Sequence, residues 1–409
     1  MHYDTRRGIE APLGPTPQGA PLKTPAVKTV ALLGGDYPNV VFDLRVKEGD
    51  AVRAGQTLCV DRRRPEICFA AAASGHVSQI KLGPRRRLEM LEITGAGDDA
   101  VNFAKGDLRK LLLKAGAWPS FRTRPFGLIP DPTATPAAIF VTTTKSTPQT
   151  LDPHVVLTTE TVDFERGVAA LLQLTTCPVF VCQRKGAPLS PPRDRLKIAT
   201  FSGPYPSGNA GPQIHRLMPV SRQRMVWDIG YQDVVAIGHL LATAQIKTTR
   251  SVSVSGAKMA EVAIVPLGAK LSEVVGGMDH FDPDNLLSGS RLTGQKCDYL
   301  ARRDLQISAL ETDSAGGSFW HRILDALPAA PTGATLPTEA FERAFPFAIL
   351  PVPLMRALAV GDVETAERLG CLELIEEDMA PLTRLCPSGC DYGQLLRHTL
   401  NLILSEGVA

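Results

Sequence analysis

Apolar and polar residues alternate along 41–61, VFDLRVKEGDAVRAGQTLCVD, and the alternation breaks at Gly49-Asp50 and at Gly55. A period of two belongs to strands with one covered face, and glycine permits the tight turns between them. Residues 67–83, ICFAAAASGHVSQIKLG, repeat the scheme around Ser74-Gly75. Residues 107–119, DLRKLLLKAGAWP, switch to the helical spacing and predict an amphipathic helix ending at Gly116. Beyond it, apolar strands alternate with helices: strands at 137–144, 177–183, 196–203 and 251–256, and helices at 163–174 and 231–245. Such alternation predicts a parallel α/β sheet covered on both faces, over 101–256. From 257 the pattern changes again: AEVAIVPLGAKLSEVVGG and LQISALE predict a small β-grasp unit around one short helix, over 257–310. Residues 311–340, rich in Ala, Pro, Gly and Thr, read as a connector, and the remainder to 409 reads as helical. The chain is thus expected to be a multidomain α/β protein of four units: 1–100, 101–256, 257–310 and 311–409.

The paired strand–turn–strand pattern of 1–100 resembles the barrel-sandwich of biotinyl and lipoyl carrier domains, here preceded by an N-terminal arm. Carriers attach their prosthetic group to a lysine on the hairpin between the two halves. In this chain that hairpin reads DRRRPE, with Arg64 at the attachment position. A guanidinium cannot form the amide, so the fold is expected without the carrier chemistry.

Composition narrows the function classes. The chain has 409 residues, 44% of them hydrophobic and 21% charged, with a net charge of +2. Such a balance gives no general attraction to nucleic acid. Two local basic runs, Arg62–Arg64 and Arg85–Arg87, read as solvated loop tips or as a patch facing acidic lipid or an acidic partner. No apolar run approaches the ~20 residues that span a bilayer, and MHYDTRRGIEAP lacks the apolar core of a signal peptide. A cytoplasmic protein, bound to membranes only through partners, is expected.

The eight cysteines (59, 68, 177, 182, 297, 371, 386 and 390) are scattered. A zinc or iron–sulfur site normally needs four ligands. Cys386 and Cys390 in RLCPSGCDYG supply two, and no second tight pair accompanies them, so no metal site is expected. The loop SGPYPSGNAG (202–211) follows a strand, where open α/β sheets place ligands. Gly203, Tyr205 and Gly208 are its candidate contacts, with His215 just beyond, although a rigid turn explains the same residues. His215 has no carboxylate near it in sequence, which favours a structural role. Adjacent acids Glu376-Glu377-Asp378 read as capping of a helix start. No nucleophile elbow, zincin motif or triad is present, and no catalytic residue is assigned. In AGAWPSFRTRPFG (115–127), aromatics beside arginines suit a flat quinone head group. They equally suit an anchor that packs the helix end on the sheet, with its arginines paired at the surface.

Several long segments together carry a further resemblance. They are ALLGGDYP (31–38), the 115–127 stretch, FSGPYPSG and IHRLMPVS within 201–221, VWDIGYQDVVAIG (226–238), YLARRDLQISAL (299–310) and RLGCLELIEEDMAPL (368–382). In order and nearly end to end, they are similar to the NqrA family, the A subunits of the sodium-translocating NADH:quinone oxidoreductase. That family is related to the flavin-binding subunit of respiratory complex I and to the C subunit of the Rnf complex. The resemblance implies a Rossmann-like second unit, an SLBB-type β-grasp and a C-terminal helical unit. In the flavin-binding relatives a glycine-rich run cradles the FMN phosphate, where Trp118-Pro119-Ser120-Phe121 stands here. The resemblance therefore implies a peripheral component with no flavin or cluster of its own, ubiquinone being the substrate of the complex. Implied partners are the membrane subunits, the B subunit first and then C, D, E and F, at the cytoplasmic face of the bacterial inner membrane. Implied quinone contacts are Leu32, Leu33, Gly34 and Tyr37, with Phe121, Arg124 and Phe126. The chain departs from the family's C-terminal run: Leu382 stands at the first cysteine, and Cys390 replaces a tyrosine. That departure leaves room for a divergent paralogue acting as a non-redox scaffold of a related complex.

Overall fold

The structure is a computed structural model that describes residues 1–10, 14–17, 23–97, 99–144, 147, 149–256, 258–276, 278, 281–310 and 337–406. The alternating N-terminal segments form two small antiparallel sheets. One runs in the order Thr29–Leu33, Leu88–Gly97, Ser74–Leu82, Ala51–Val52; the other in the order Phe42–Leu44, Thr57–Asp61, Arg64–Ala70. Their apolar positions, Val30, Val52, Leu58, Ile67, Phe69, Leu91 and Ile93, are buried in one core. At the hairpin between the second and third of the latter strands, Arg64 folds back onto Asp61 at 2.9 Å and donates to the Ile129 carbonyl at 3.0 Å. The position a carrier would load is thereby tied down, while Arg62, Arg63 and Arg85–Arg87 stand exposed.

A six-stranded sheet forms the second unit, in the order His2–Asp4, Leu196–Ser202, Val179–Gln183, Ile139–Thr143, Val226–Gly230, Arg122–Arg124. The first five are mutually parallel and Arg122–Arg124 pairs antiparallel at the edge. Strand periodicity sorts the side chains by face. Ile139, Val141, Val179 and Val181 join the core under helices Thr161–Leu174 and Tyr231–Thr243. Phe140, Phe180 and Cys182 join the opposite core, under helix Ala210–Leu217. The two helices of the first face need glycine at their crossing. A Cβ on Gly167 would lie 2.0 Å from the Val234 carbonyl oxygen, and one on Gly238 would lie 1.8 Å from that of Asp163.

The next sheet has five strands in the order Ala260–Pro266, Thr249–Ser255, Gln306–Ala309, Leu286–Ser288, Gln295–Lys296, covered by the short helix Leu271–Val275. Here the structure corrects the expected division. Pattern alone puts residues 251–256 in the parallel α/β sheet, but Thr249–Ser255 pairs with Ala260–Pro266 and Gln306–Ala309. Val252 and Val254 accordingly point into this sheet's own core. An apolar alternating strand fits either sheet, and only its partners distinguish them.

Helices Glu339–Ala344, Pro351–Val360, Val363–Arg368, Glu376–Leu385 and Tyr392–Glu406 enclose a core of Phe341, Phe345, Leu354, Met355, Leu382, Leu396 and Leu400. Most of the expected connector, 311–336, lies outside the described residues. Among the described residues no helix is long and apolar enough to cross a membrane.

Candidate functional site

From Ile139–Thr143 the chain steps outward to Val179–Gln183 and Leu196–Ser202, then crosses back to place Val226–Gly230 on the other side. Ligands of open parallel sheets bind where strand order reverses in this way, beyond the carboxyl ends of the strands. Two cavities lie along that edge. A cleft of about 840 Å³ opens beyond Thr143, Arg184 and Phe201, with Gly203, Tyr205 and Gly208 in its wall. A second cavity, about 820 Å³, sits at the reversal itself, between Thr142, Gly230, Arg250, Arg303, Glu377 and Cys386. Tyr205 belongs to both and is buried. Gly203 adopts φ +134°, and a Cβ there would meet the Thr5 carbonyl oxygen at 2.4 Å. The predicted loop therefore does reach a cleft. His215 does not line it. Its Nε2 accepts the Ala348 N–H at 2.9 Å, which puts the ring proton on Nδ1, facing Glu373 at 2.7 Å. The carboxylate absent from its sequence neighbourhood comes from the C-terminal helices.

The most heavily charged part of the site is the wall shared with those helices. Arg122 bridges Asp228 and Glu377, each at 3.0 Å. Arg124, fully buried, reaches Glu377 at 3.0 Å, Asp228 at 3.4 Å and Asp378 in a short contact. Burial would raise the Glu377 carboxyl, but Arg122 and Arg124 outweigh it and hold it down at about 2. Two expectations are corrected here. The arginines of 115–127 are not paired at the surface; they are sunk between two units. Glu376–Asp378 do begin a helix, and Asp378 accepts the Ile375 N–H at 2.9 Å, yet Glu377 and Asp378 also neutralise the arginines. At the reversal point the protein supplies its own anions.

Beside this network the aromatic part of the stretch is packed solid. Trp118, Phe121 and Trp227 are wholly buried, with ring centroids 5.4–5.6 Å apart, and Trp118 Nε1 donates to the Pro130 carbonyl at 2.9 Å. Proline at 119 removes one backbone donor and the rings fill the space that bare amides would need to cradle a phosphate.

The residues implied as quinone contacts fall in separate places. Leu32, Leu33 and Tyr37 line a cavity of about 100 Å³ between the first three units, with Asp36, Phe69, Ser120 and Arg302. Gly34 packs beneath it against Leu88, whose carbonyl oxygen would be 1.9 Å from a Cβ. Phe121 belongs to the aromatic cluster and Arg124 to the ion network. Phe126 packs on the C-terminal helical core, and its carbonyl accepts from Arg397 at 2.7 Å. Among the described residues no group of three or more His, Cys, Asp or Glu is arranged to hold a metal.

Sequence reasoning missed the basic wall contributed by the third unit. Burial and the neighbouring Arg302 push the Arg250 guanidinium down to about 10, and burial with Arg122 does the same to Arg303. Arg302 pairs with Asp233 at 2.7 Å. The signal was present in YLARRDLQISAL, an Arg-Arg-Asp run just before an apolar strand. Burial also pushes the carboxyls of Asp36 and Asp304 up to about 6. A carboxyl raised in the folded state binds protons that the unfolded chain has released, so its stabilising effect is lost as pH rises through about 6. The contribution of these two carboxyls to thermal stability is therefore expected to increase from pH 7.5 to pH 5. In Asp304→Asn, which keeps an acceptor for Ser288, that slope becomes shallower. A calorimetric Tm series in both proteins checks this, and identical slopes would refute the assignment.

Known proteins share this arrangement of units in sequence. Residues 4–96 match the family model described as the NqrA N-terminal barrel-sandwich hybrid domain, and residues 103–246 match the NqrA second alpha/beta domain. A relative from Neisseria meningitidis serogroup B is 36% identical over 445 aligned positions, covering 98% of this chain and 99% of the relative. Others from Pasteurella multocida and Actinobacillus pleuropneumoniae serotype 5b are each 35% identical, with the same coverage. All three are named as the A subunit of the Na(+)-translocating NADH-quinone reductase.

Proposed function

The chain belongs to the NqrA family, the A subunits of the Na(+)-translocating NADH-quinone reductase, and from that premise we propose that it is the peripheral, non-catalytic component of such a sodium-pumping complex. The observation that carries this reading is the match over 98% of the chain, which leaves no unit of the fold outside the family. Its work on this reading is docking: it binds the membrane subunits, the B subunit first, and brings a surface to the quinone without holding flavin or cluster. The cofactor-free reading is supported by the solid packing of Trp118 and Phe121 and by the pairing of Arg122 and Arg124 with the chain's own carboxylates.

The same premise gives the units finer identities: a biotinyl/lipoyl-like sandwich, a Rossmann-like unit related to the flavin subunit of complex I, an SLBB-type β-grasp and a helical domain. The pairing of Thr249–Ser255 supports a boundary between second and third units near 247. For the quinone, the apolar walls given by Leu32, Leu33 and Tyr37 suit a ring or an isoprenoid unit, with Ser120 and Arg302 as polar neighbours. At about 100 Å³ that cavity must widen on binding.

Affinity capture of the tagged chain from detergent-solubilised membranes is expected to recover the B subunit together with the other membrane subunits. Recovery of the chain alone, from membranes that hold the assembled enzyme, would overturn the docking role. A photoreactive ubiquinone analogue applied to the intact complex is expected to label 32–37 or 121–126. Labelling confined to membrane subunits would remove the quinone contact from this chain.

A further inference from the structure

The RLCPSGCDYG segment has no part in that reading. It follows helix Glu376–Leu385 and leads into helix Tyr392–Glu406, and a turn closed by Gly389 N–H on the Cys386 carbonyl (3.4 Å) brings its two cysteines together. The Ser388 hydroxyl touches both sulfurs, Cys386 Sγ at 2.9 Å and Cys390 Sγ at 3.3 Å, so the sulfurs can be no farther apart than those two contacts allow. The Tyr392 hydroxyl reaches Cys386 Sγ at 3.6 Å. Cys386 also lies in the wall of the cavity at the strand reversal, which gives a small solute a route to it, whereas Cys390 is fully buried.

We propose that Cys386 and Cys390 form an oxidisable dithiol in which Cys386 is the attacking thiolate, Cys390 the resolving thiol and a hydroperoxide the oxidant. The Cys386 thiolate attacks one peroxide oxygen. The O–O bond breaks, a hydroxide or alkoxide leaves, and the sulfur becomes a sulfenic acid. Cys390 sulfur then attacks that sulfur, its proton leaves with the departing oxygen as water, and the disulfide closes. Two thiols and one hydroperoxide give one disulfide, one water and one water or alcohol. The two electrons come from the sulfurs.

Hydrogen bonding selects Cys386 as the attacker. Burial alone would push its thiol up, but the Ser388 and Tyr392 hydroxyls and the backbone N–H groups of Ser388 and Cys390 hold it below the ordinary thiol range. Burial pushes Cys59, Cys68, Cys182 and Cys297 the other way, and Cys371 up to about 12. Thiolate character and access together set the rate of oxidation.

The test uses the full reduced chain, treated with one equivalent of hydrogen peroxide at neutral pH, alkylated and digested with trypsin. Both cysteines fall in the single peptide 385–397. That peptide is expected to become lighter by two hydrogens, about ten-fold faster than any other cysteine is modified. In Cys390→Ser, with its fold checked by circular dichroism, Cys386 is expected to accumulate as a sulfenic acid trapped by dimedone. Ser388→Ala is expected to slow the first step several-fold. Earlier oxidation of another cysteine, or a Cys386 that reacts without closing on Cys390, would overturn the proposal. Neither result bears on membership of the sodium-pumping complex.

Discussion

Replacing Arg124 with methionine is expected to destabilise the joint between the α/β unit and the C-terminal helices by about 3–5 kcal/mol. Arg124 and Asp378 are both fully buried, and removing one charge leaves the other without compensation in a place water does not reach. Because the chain has several units, the loss should appear as an early transition instead of a uniform shift. Hydrogen exchange of the Glu376–Leu385 helix would locate it there. A second substitution gives the decisive comparison. With Asp378→Leu added, both members of the closest pair are gone, while Arg122 keeps Asp228 and Glu377. Stability is then expected to return most of the way, short by about 1 kcal/mol for the lost hydrogen bond to the Ile375 N–H. A single variant as stable as the parent would show that the network does not fasten the helices.

Trp118→Ala is expected to cost about 3–5 kcal/mol in the unit that contains it. The indole is wholly buried against Phe121 and Trp227, so alanine leaves a void that two rigid rings cannot close. It also strands the Pro130 carbonyl, which accepts from the indole N–H. Trp118→Phe separates the two effects: it keeps most of the ring and loses the donor, for about 1–3 kcal/mol. Urea denaturation followed by far-ultraviolet circular dichroism measures both. Equal losses in the two variants would mean that filling space contributes nothing there.

The sequence was most legible where structure is local. The alternation of 41–61 and 67–83 follows from strands that cover a core on one side, and the helix expected in 107–119 forms over Leu108–Lys114, two residues short of the glycine that the pattern indicates, which turns the chain away at φ +68°. Loop 202–211 reaches a cleft because strand ends in parallel sheets open onto one edge. Partners distant in sequence were not legible. His215 finds Glu373 158 positions away, and Arg124 finds Asp378 254 positions away. Glu376–Asp378 carry a true local signal, a helix start, that conceals their second use as counter-ions. Strand Thr249–Ser255 falls to the wrong sheet for the same reason, since alternation specifies a covered face and not the neighbour that covers it.

The first strand of the chain, His2–Asp4, lies hydrogen-bonded along Leu196–Ser202, with Tyr3 stacked on Phe201 at 5.3 Å. The unit that spans 103–246 is thus sealed on that flank by a segment about a hundred residues upstream. A recombinant piece cut at 103 would bare a ready-made template for a second molecule to add to, and is expected to self-associate. Supplying the opening hexapeptide-length segment in trans, or grafting it back through a linker, should restore a monodisperse preparation.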